Sequence, residues 1–235
     1  MTEMPFDQRK RSKKMLLNIG LFSIVMMFAG FTSAMIVSMS DGFWVNITLP
    51  TGFWYSTAVL LLSSVTVFLS RRAAKKNNFR QTLNLTIITF VLGIVFSVLQ
   101  FKSWGQLIES GNYMVANLMD LKGEYGTDYS FSFKGEPVKL VDGEFYAESD
   151  RYNDRPLKDR LLGSRNGASS YLYVLSGVHW LHVVGGLFTL LRVIVLLSKH
   201  GLTPNTDLSV GLSSTYWHFV DVLWVYLFLF LLFIH

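Results

Sequence analysis

The sequence predicts an all-α integral membrane bundle of five transmembrane helices, with a polar extramembrane insert between helices 3 and 4. Five apolar stretches, Leu16–Met39, Phe53–Ser70, Leu83–Phe101, Tyr171–Ser198 and Ser213–Ile234, match or approach the roughly 20 residues that cross a bilayer. Hydrophobic residues make up 51% of the 235 and charged ones 16%, with 19 Phe, 10 Tyr and 6 Trp, well away from a soluble domain. Lys and Arg gather in alternate connections rather than evenly.

Residues 1–14 form a basic N-terminus, with Arg9, Lys10, Arg11, Lys13 and Lys14 just before the first apolar run. A charged start of this kind superficially resembles a secretory signal. The run from Leu16 to Met39 exceeds the roughly 7 to 15 residues of a signal core, so it reads as a retained first membrane helix. Residues 15–101 then hold helices 1–3. The loop Arg71–Gln81 carries five more basic residues, whereas Asp41–Gly52 carries none. Because Lys/Arg bias in short loops sets topology, the N-terminus is expected in the cytoplasm and the C-terminus at His235 on the periplasmic side. Lys199, in the fourth connection, agrees.

Residues 102–170 differ in kind. They hold 11 of the 16 acidic residues and nine Lys/Arg, without an apolar run. Short aromatic and β-branched runs between Glu124 and Glu148, broken at Gly126, Gly135-Glu136-Pro137 and Asp142-Gly143, predict hairpin turns and a small β element. A connection this long is commonly functional, and docking to a neighbouring subunit is preferred here over a solvated flap. Residues 171–235 form helices 4 and 5. Small residues that let membrane helices approach closely recur throughout: Ala29, Gly30, Ser33 and Ala34, then Ser63 and Ser64, Gly93, and Gly177, Gly185 and Gly186.

The absence of cysteine excludes disulfides, thiolate zinc, iron–sulfur clusters and cysteine nucleophiles. The net charge of +5 lies in clusters that flank apolar segments, which argues for membrane orientation and against a nucleic-acid partner. Ionisable residues inside spans are costly and need a partner, a wet cavity or a function. Those in question are His179 and His182 in the fourth span, and His218 and Asp221 in the fifth; each pair is three residues apart, so each shares a helix face. The plain reading is a structural polar network of interhelical hydrogen bonds that fixes packing. On that reading Asp221→Leu loosens subunit retention more than it alters a haem spectrum. Sharper readings remain: a bis-histidine haem using His179 or His182 with His218, a metal site, or a proton relay. Arg192, inside the fourth span, either snorkels to the interface or contacts a lipid phosphate. The six Trp fall mainly near span ends, as an aromatic belt requires. No catalytic, cofactor or metal site is assigned to the chain itself.

His179-Trp180-Leu181-His182-Val183-Val184-Gly185-Gly186, followed by Tyr216–Trp224, resembles the paired signature of subunit III of the haem-copper oxidases, especially cytochrome c oxidase. Phe28-Ala29-Gly30, Leu49-Pro50 with Ser56-Thr57 and Leu61-Leu62-Ser63-Ser64, and Leu92-Gly93 through Gln100 to Trp104 resemble the first three helices of its short bacterial five-helix form. The resemblance implies a non-catalytic accessory subunit in the bacterial inner membrane. Its partners would be oxidase subunits I and II, which carry the haem and copper, and membrane lipids; bound phospholipid is expected, along with support of proton uptake. Two features depart from the pattern. Ser23 is followed by Ile24 where the family usually has glutamate, and the long insert hints at a respiratory supercomplex partner. A quinol oxidase subunit III, a self-contained membrane haem protein and a proton-coupled transporter are the rivals; the transporter is disfavoured because no repeat or broken-helix pair is evident.

Overall fold

The computed structural model describes residues 5–47, 49–118, 121, 122, 124–126 and 128–234. The expected position of His235 lies outside them. Five helices are long and apolar enough to cross a membrane: α1 (Phe6–Asp41), α2 (Gly52–Lys75), α3 (Phe79–Glu109), α5 (Gly167–His200) and α6 (Pro204–Phe233). A one-turn helix, α4 (Lys158–Leu162), precedes α5. At about 1.5 Å per residue, the 36 residues of α1 extend well past a bilayer core of about 30 Å. The helices therefore outrun the apolar stretches that announce them. Helix α3 continues from Phe101 to Glu109 and α5 begins at Gly167, so the insert is shorter than residues 102–170.

The buried seams explain the packing. In α3 they fall at Thr82, Thr86, Thr89, Gly93, Phe96, Gln100, Ser103 and Leu107, alternating four and three residues. In α2 the set includes Phe53, Ser56, Leu60, Ser63, Val67, Ser70 and Ala74 with the same alternation. A 3.5-residue repeat holds one seam against a partner in a left-handed crossing. Small or hydroxylated residues alternate with larger ones along both seams, so at those positions backbones approach closely and hydroxyls bond across. Ser70 Oγ meets Thr86 Oγ1 at 2.8 Å, and Thr66 Oγ1 meets Thr89 Oγ1 at 2.8 Å. The α2–α3 turn is tight, with Asn77 at positive φ and Asn78 capping α3 through Gln81 N. Helix α6 starts on a capping box between Thr203 and Thr206, with Pro204 in its first turn. Its seam includes Thr206, Val210, Ser213, Trp217, Val220, Trp224, Leu227 and Leu231.

The expected β element is present and larger than the insert alone. Strands β1 (Phe43–Ile47), β2 (Tyr129–Phe133), β3 (Glu136–Val141) and β4 (Glu144–Ala147) form an antiparallel sheet in that order. The β2–β3 turn places Lys134 and Gly135 at positive φ, and the β3–β4 turn does so with Asp142 and Gly143, as two-residue hairpins of this twist demand. Pro137, read from sequence as part of the first turn, stands inside β3 opposite Ser132. Strand β1, from the connection between the first two membrane helices, pairs with β2 in the register Val45↔Phe131. Val45, Phe131 and Val138 share one face of the sheet and are buried, while Trp44, on the other face, is buried against Tyr171 of α5. Asn166 N donates to Ala116 O at 2.8 Å, Ser169 Oγ to Tyr113 O at 2.7 Å and Tyr173 OH to Asn112 O at 2.9 Å. The insert is thus clamped onto the start of α5.

Candidate functional site

The Tyr216–Trp224 segment of α6 is held from three sides. Trp217 is fully buried; its Nε1 donates to Ser63 Oγ of α2 at 2.9 Å. Its ring needs space that glycines leave. A Cβ at Gly93 of α3 would stand 2.6 Å from the indole, and one at Gly186 of α5 would stand 2.9 Å from it. Two helical turns further on, Trp224 Nε1 donates to Thr57 Oγ1 at 2.9 Å, with the ring stacked on Phe53. Tyr216 OH donates to His182 O at 3.1 Å. Trp217, Trp224 and Trp44 are therefore interior anchors, a correction to the belt expected of them; Trp54, half exposed, remains a belt residue.

The four ionisable candidates occupy three separate settings, and no hydrogen bond joins one to another. His218 Nδ1 and Ser64 Oγ share a 2.7 Å bond across to α2. Asp221, 2% exposed, lies beside the same Ser64, but neither carboxyl oxygen makes a hydrogen bond. His179 is fully buried, with both ring nitrogens unbonded; its ring packs on Trp224 at 4.8 Å and against the edge of Phe96 at 6.2 Å. His182 Nδ1 donates to Val178 O of its own helix at 2.8 Å, so that nitrogen carries the proton. Helical spacing places these residues on shared faces, yet the helices' rotations direct the imidazoles to different neighbours.

Arg192 is exposed and lines a groove of about 560 Å³ between α1, α5 and α6 with Lys13, Gly20, Phe188, Ser209 and Tyr216. Ile24, where the family pattern has glutamate, lies in the same groove and brings no carboxylate to it. Sequence reasoning passed over Gln100, wholly buried on the α3 seam with neither amide atom bonded, and the Arg71–Asp207 ion pair at 2.5 Å. The signal for the first was available: Gln100 falls in step with Thr86, Gly93 and Phe96. Among the described residues no group of three or more His, Asp or Glu is placed to hold a metal ion.

Comparison with known proteins adds to this geometry. Residues 164–235, which contain both α5 and α6, match the family model of cytochrome c oxidase subunit III. Quinol oxidase subunit 3 of Bacillus spizizenii is 41% identical over 69 residues, 28% of this chain and 34% of that protein. Cytochrome c oxidase subunit 3 of Alkalihalophilus pseudofirmus is 29% identical over 172 residues, 73% of this chain and 60% of the relative. Cytochrome c oxidase subunit 3 of the sea urchin Paracentrotus lividus is 27% identical over 173 residues, 74% of this chain and 46% of the relative. The chain thus spans less than two thirds of each of these relatives. The family match and the relatives show a likeness to subunit III of the haem-copper oxidases, and the five apolar helices fit a multi-pass membrane protein.

Proposed function

We propose that this chain is the accessory subunit III of a bacterial respiratory terminal oxidase that reduces oxygen and pumps protons. The catalytic centre, with its haem and copper, is assigned to subunit I, and electron entry to subunit II. The observation that carries this reading is the placement of the family-matched segment. Residues 164–235 supply α5 and α6, and their signature side chains are spent on holding α2, α3, α5 and α6 together through Trp217, Trp224 and His218. Side chains that hold the bundle together suit a scaffold that stabilises a neighbour. The chain sits in the inner membrane with its basic N-terminus in the cytoplasm, a reading the Lys/Arg distribution supports. It supports proton uptake by preserving the catalytic subunit. Phospholipid lies in the groove beside Arg192, and the clamped insert meets a partner in a respiratory assembly on the outer face.

Quinol is the second reading for the electron donor, because the relative with 41% identity is named a quinol oxidase subunit. The donor is chosen elsewhere in the complex, so both readings leave this chain's role unchanged. The test is purification in mild detergent through an N-terminal tag, with subunit identification and a visible spectrum of the eluate. A haem-copper subunit should co-purify, and the haem should leave when this chain is separated. Recovery of the chain alone with bound haem would make His179, His182 or His218 ligands and overturn the proposal.

A further inference from the structure

Leu17 of α1 and Leu212 of α6 line two cavities, one toward α5 and one toward α2. The second has a volume of about 450 Å³. Its polar lining comprises Lys10, Lys14 and Asn18 of α1, Arg71 of α2, and Asp207 and Thr215 of α6. Three cations face one carboxylate there, which leaves a surplus of two positive charges. Asp7, the acid in the first turn of α1 among the described residues, is on a neighbouring face and does not line this cavity.

The carboxylate is already engaged. Arg71 Nη1 donates to Asp207 Oδ1 at 2.5 Å and to Asp207 O at 3.0 Å. Those bonds use one nitrogen of the guanidinium. Gly211 allows the rest to lie against α6, since a Cβ there would stand 3.1 Å from Arg71 Nη2 and 3.5 Å from Nε. Two further donors of a planar fork therefore stand in the same cavity as two ammonium groups. A planar fork beside point charges matches the several oxygens and double charge of a phosphate group. The apolar walls Phe6, Pro204 and Leu208 lower the local dielectric, which strengthens such contacts relative to an open surface.

We propose that this cavity between α1, α2 and α6 binds a phosphate group, presented by a phospholipid headgroup or by a soluble phosphate. It is separate from the Arg192 groove and rests on the membrane fold, so it stands or falls independently of the oxidase reading. The test compares wild type, Lys10→Gln/Lys14→Gln and a charge-matched control, Lys75→Gln/Lys76→Gln, each purified in mild detergent with its accompanying subunits. The cavity variant keeps the Arg71–Asp207 pair and therefore the helix contacts. Two readouts are taken: phospholipid retained per chain after detergent exchange, by native mass spectrometry, and thermal unfolding titrated with sodium phosphate against sodium chloride at equal ionic strength.

If the source is a lipid, the cavity variant retains one phospholipid fewer than wild type and the control does not. For a soluble source, phosphate stabilises wild type saturably and the cavity variant binds it at least tenfold more weakly, with the control again like wild type. Equal lipid retention in all three together with no saturable phosphate effect overturns the proposal. So does an equal loss in the control, which would reduce the effect to diffuse charge.

Discussion

Trp217 Nε1 of α6 donates a 2.9 Å hydrogen bond to Ser63 Oγ of α2, and the same indole lies where a side chain at Gly93 of α3 or Gly186 of α5 would stand. One side chain thereby meets three other helices. This arrangement ties the 3.5-residue seams to a single depth in the bundle, because a helix sliding along its partner would lose both the hydrogen bond and the fit to the glycines.

Gly93→Ala is expected to destabilise the bundle even though alanine is the better helix former by about 1 kcal/mol. The new Cβ would be 2.6 Å from Trp217 and 2.8 Å from Leu187, an overpacking that costs about 1–3 kcal/mol. Gly186→Ala should behave similarly, with its Cβ at 2.9 Å from the ring. Gly30→Ala and Gly177→Ala are the controls, since nothing lies within 4 Å of a Cβ there. Thermal unfolding in detergent should lower the midpoint for the first pair and leave or raise it for the second. Equal midpoints in all four would mean that the indole moves aside freely.

The Trp224–Thr57 bond should show measurable coupling in a double-mutant cycle with Trp224→Phe and Thr57→Val. Thr57 also donates to Phe53 O at 2.7 Å, so its hydroxyl stays satisfied when the indole is removed. Thr57→Val, by contrast, strands a buried indole N–H, at about 1–3 kcal/mol. Hydrogen bonds between membrane helices average about 0.6 kcal/mol, and a coupling energy of that order is expected. Coupling indistinguishable from zero would assign the contact to ring packing alone.

The spans, the close approaches at Gly93 and Gly186 and the hairpin turns at Gly135 and Asp142-Gly143 were legible because each has a local cause: apolar length, missing side-chain bulk, positive φ. At Gly30 and Gly177, read in the same way, a Cβ would meet nothing within 4 Å. Strand β1 was not legible. Phe43–Ile47 becomes a strand by pairing with Tyr129–Phe133, and nothing within five residues of it announces a partner that far along the chain. It also makes deletion of Glu124–Glu148 a poor probe of docking, since β1 would lose its partner strand and Val45 the Phe131 opposite it. The site was half legible for a related reason. Spacing of three placed His179 with His182 and His218 with Asp221, but which helix each side chain meets depends on rotations set by Trp217 and Trp224 in the interior. Those two were misread as belt residues because proximity to a span's end does not distinguish lipid-facing from inward-facing indoles.

The insert loop around Asp150 should respond to acid. Asp150 is held below its ordinary value of 3.8, chiefly by the backbone N–H of Arg155, with smaller help from the N–H groups of Asp154 and Tyr152 and the charge of Lys139. A carboxyl whose folded value is depressed stabilises the fold above its unfolded value, and that contribution fades as pH falls through the lower folded value. The Ser149–Arg155 turn is therefore expected to hold at neutral pH and to loosen only below 3.8. Hydrogen exchange at the Arg155 amide should quicken there, and Asp150→Asn should bring the faster exchange to neutral pH. Exchange in that variant as slow as in wild type would show that the turn does not need the charge.

Asp221→Leu separates two roles for the α6 carboxyl. In the sequence reading Asp221 belongs to a polar network that fixes helix packing, and removing it loosens subunit retention. In the structure the carboxyl is buried beside Ser64 with neither oxygen in good hydrogen-bond geometry, so the fold gives up at most that one strained contact when it goes. Replacing a buried, unsatisfied polar group by an apolar one of similar volume is commonly neutral or stabilising. The variant's unfolding midpoint in detergent is accordingly expected to equal or exceed that of wild type. His218→Phe, which deprives Ser64 of its 2.7 Å partner, is expected to lose about 1 kcal/mol. If Asp221→Leu instead proves the more damaging of the two, by more than about 2 kcal/mol, the carboxyl must be satisfied in the membrane by bound water. That outcome would restore Asp221 to a working polar network with Ser64 and His218.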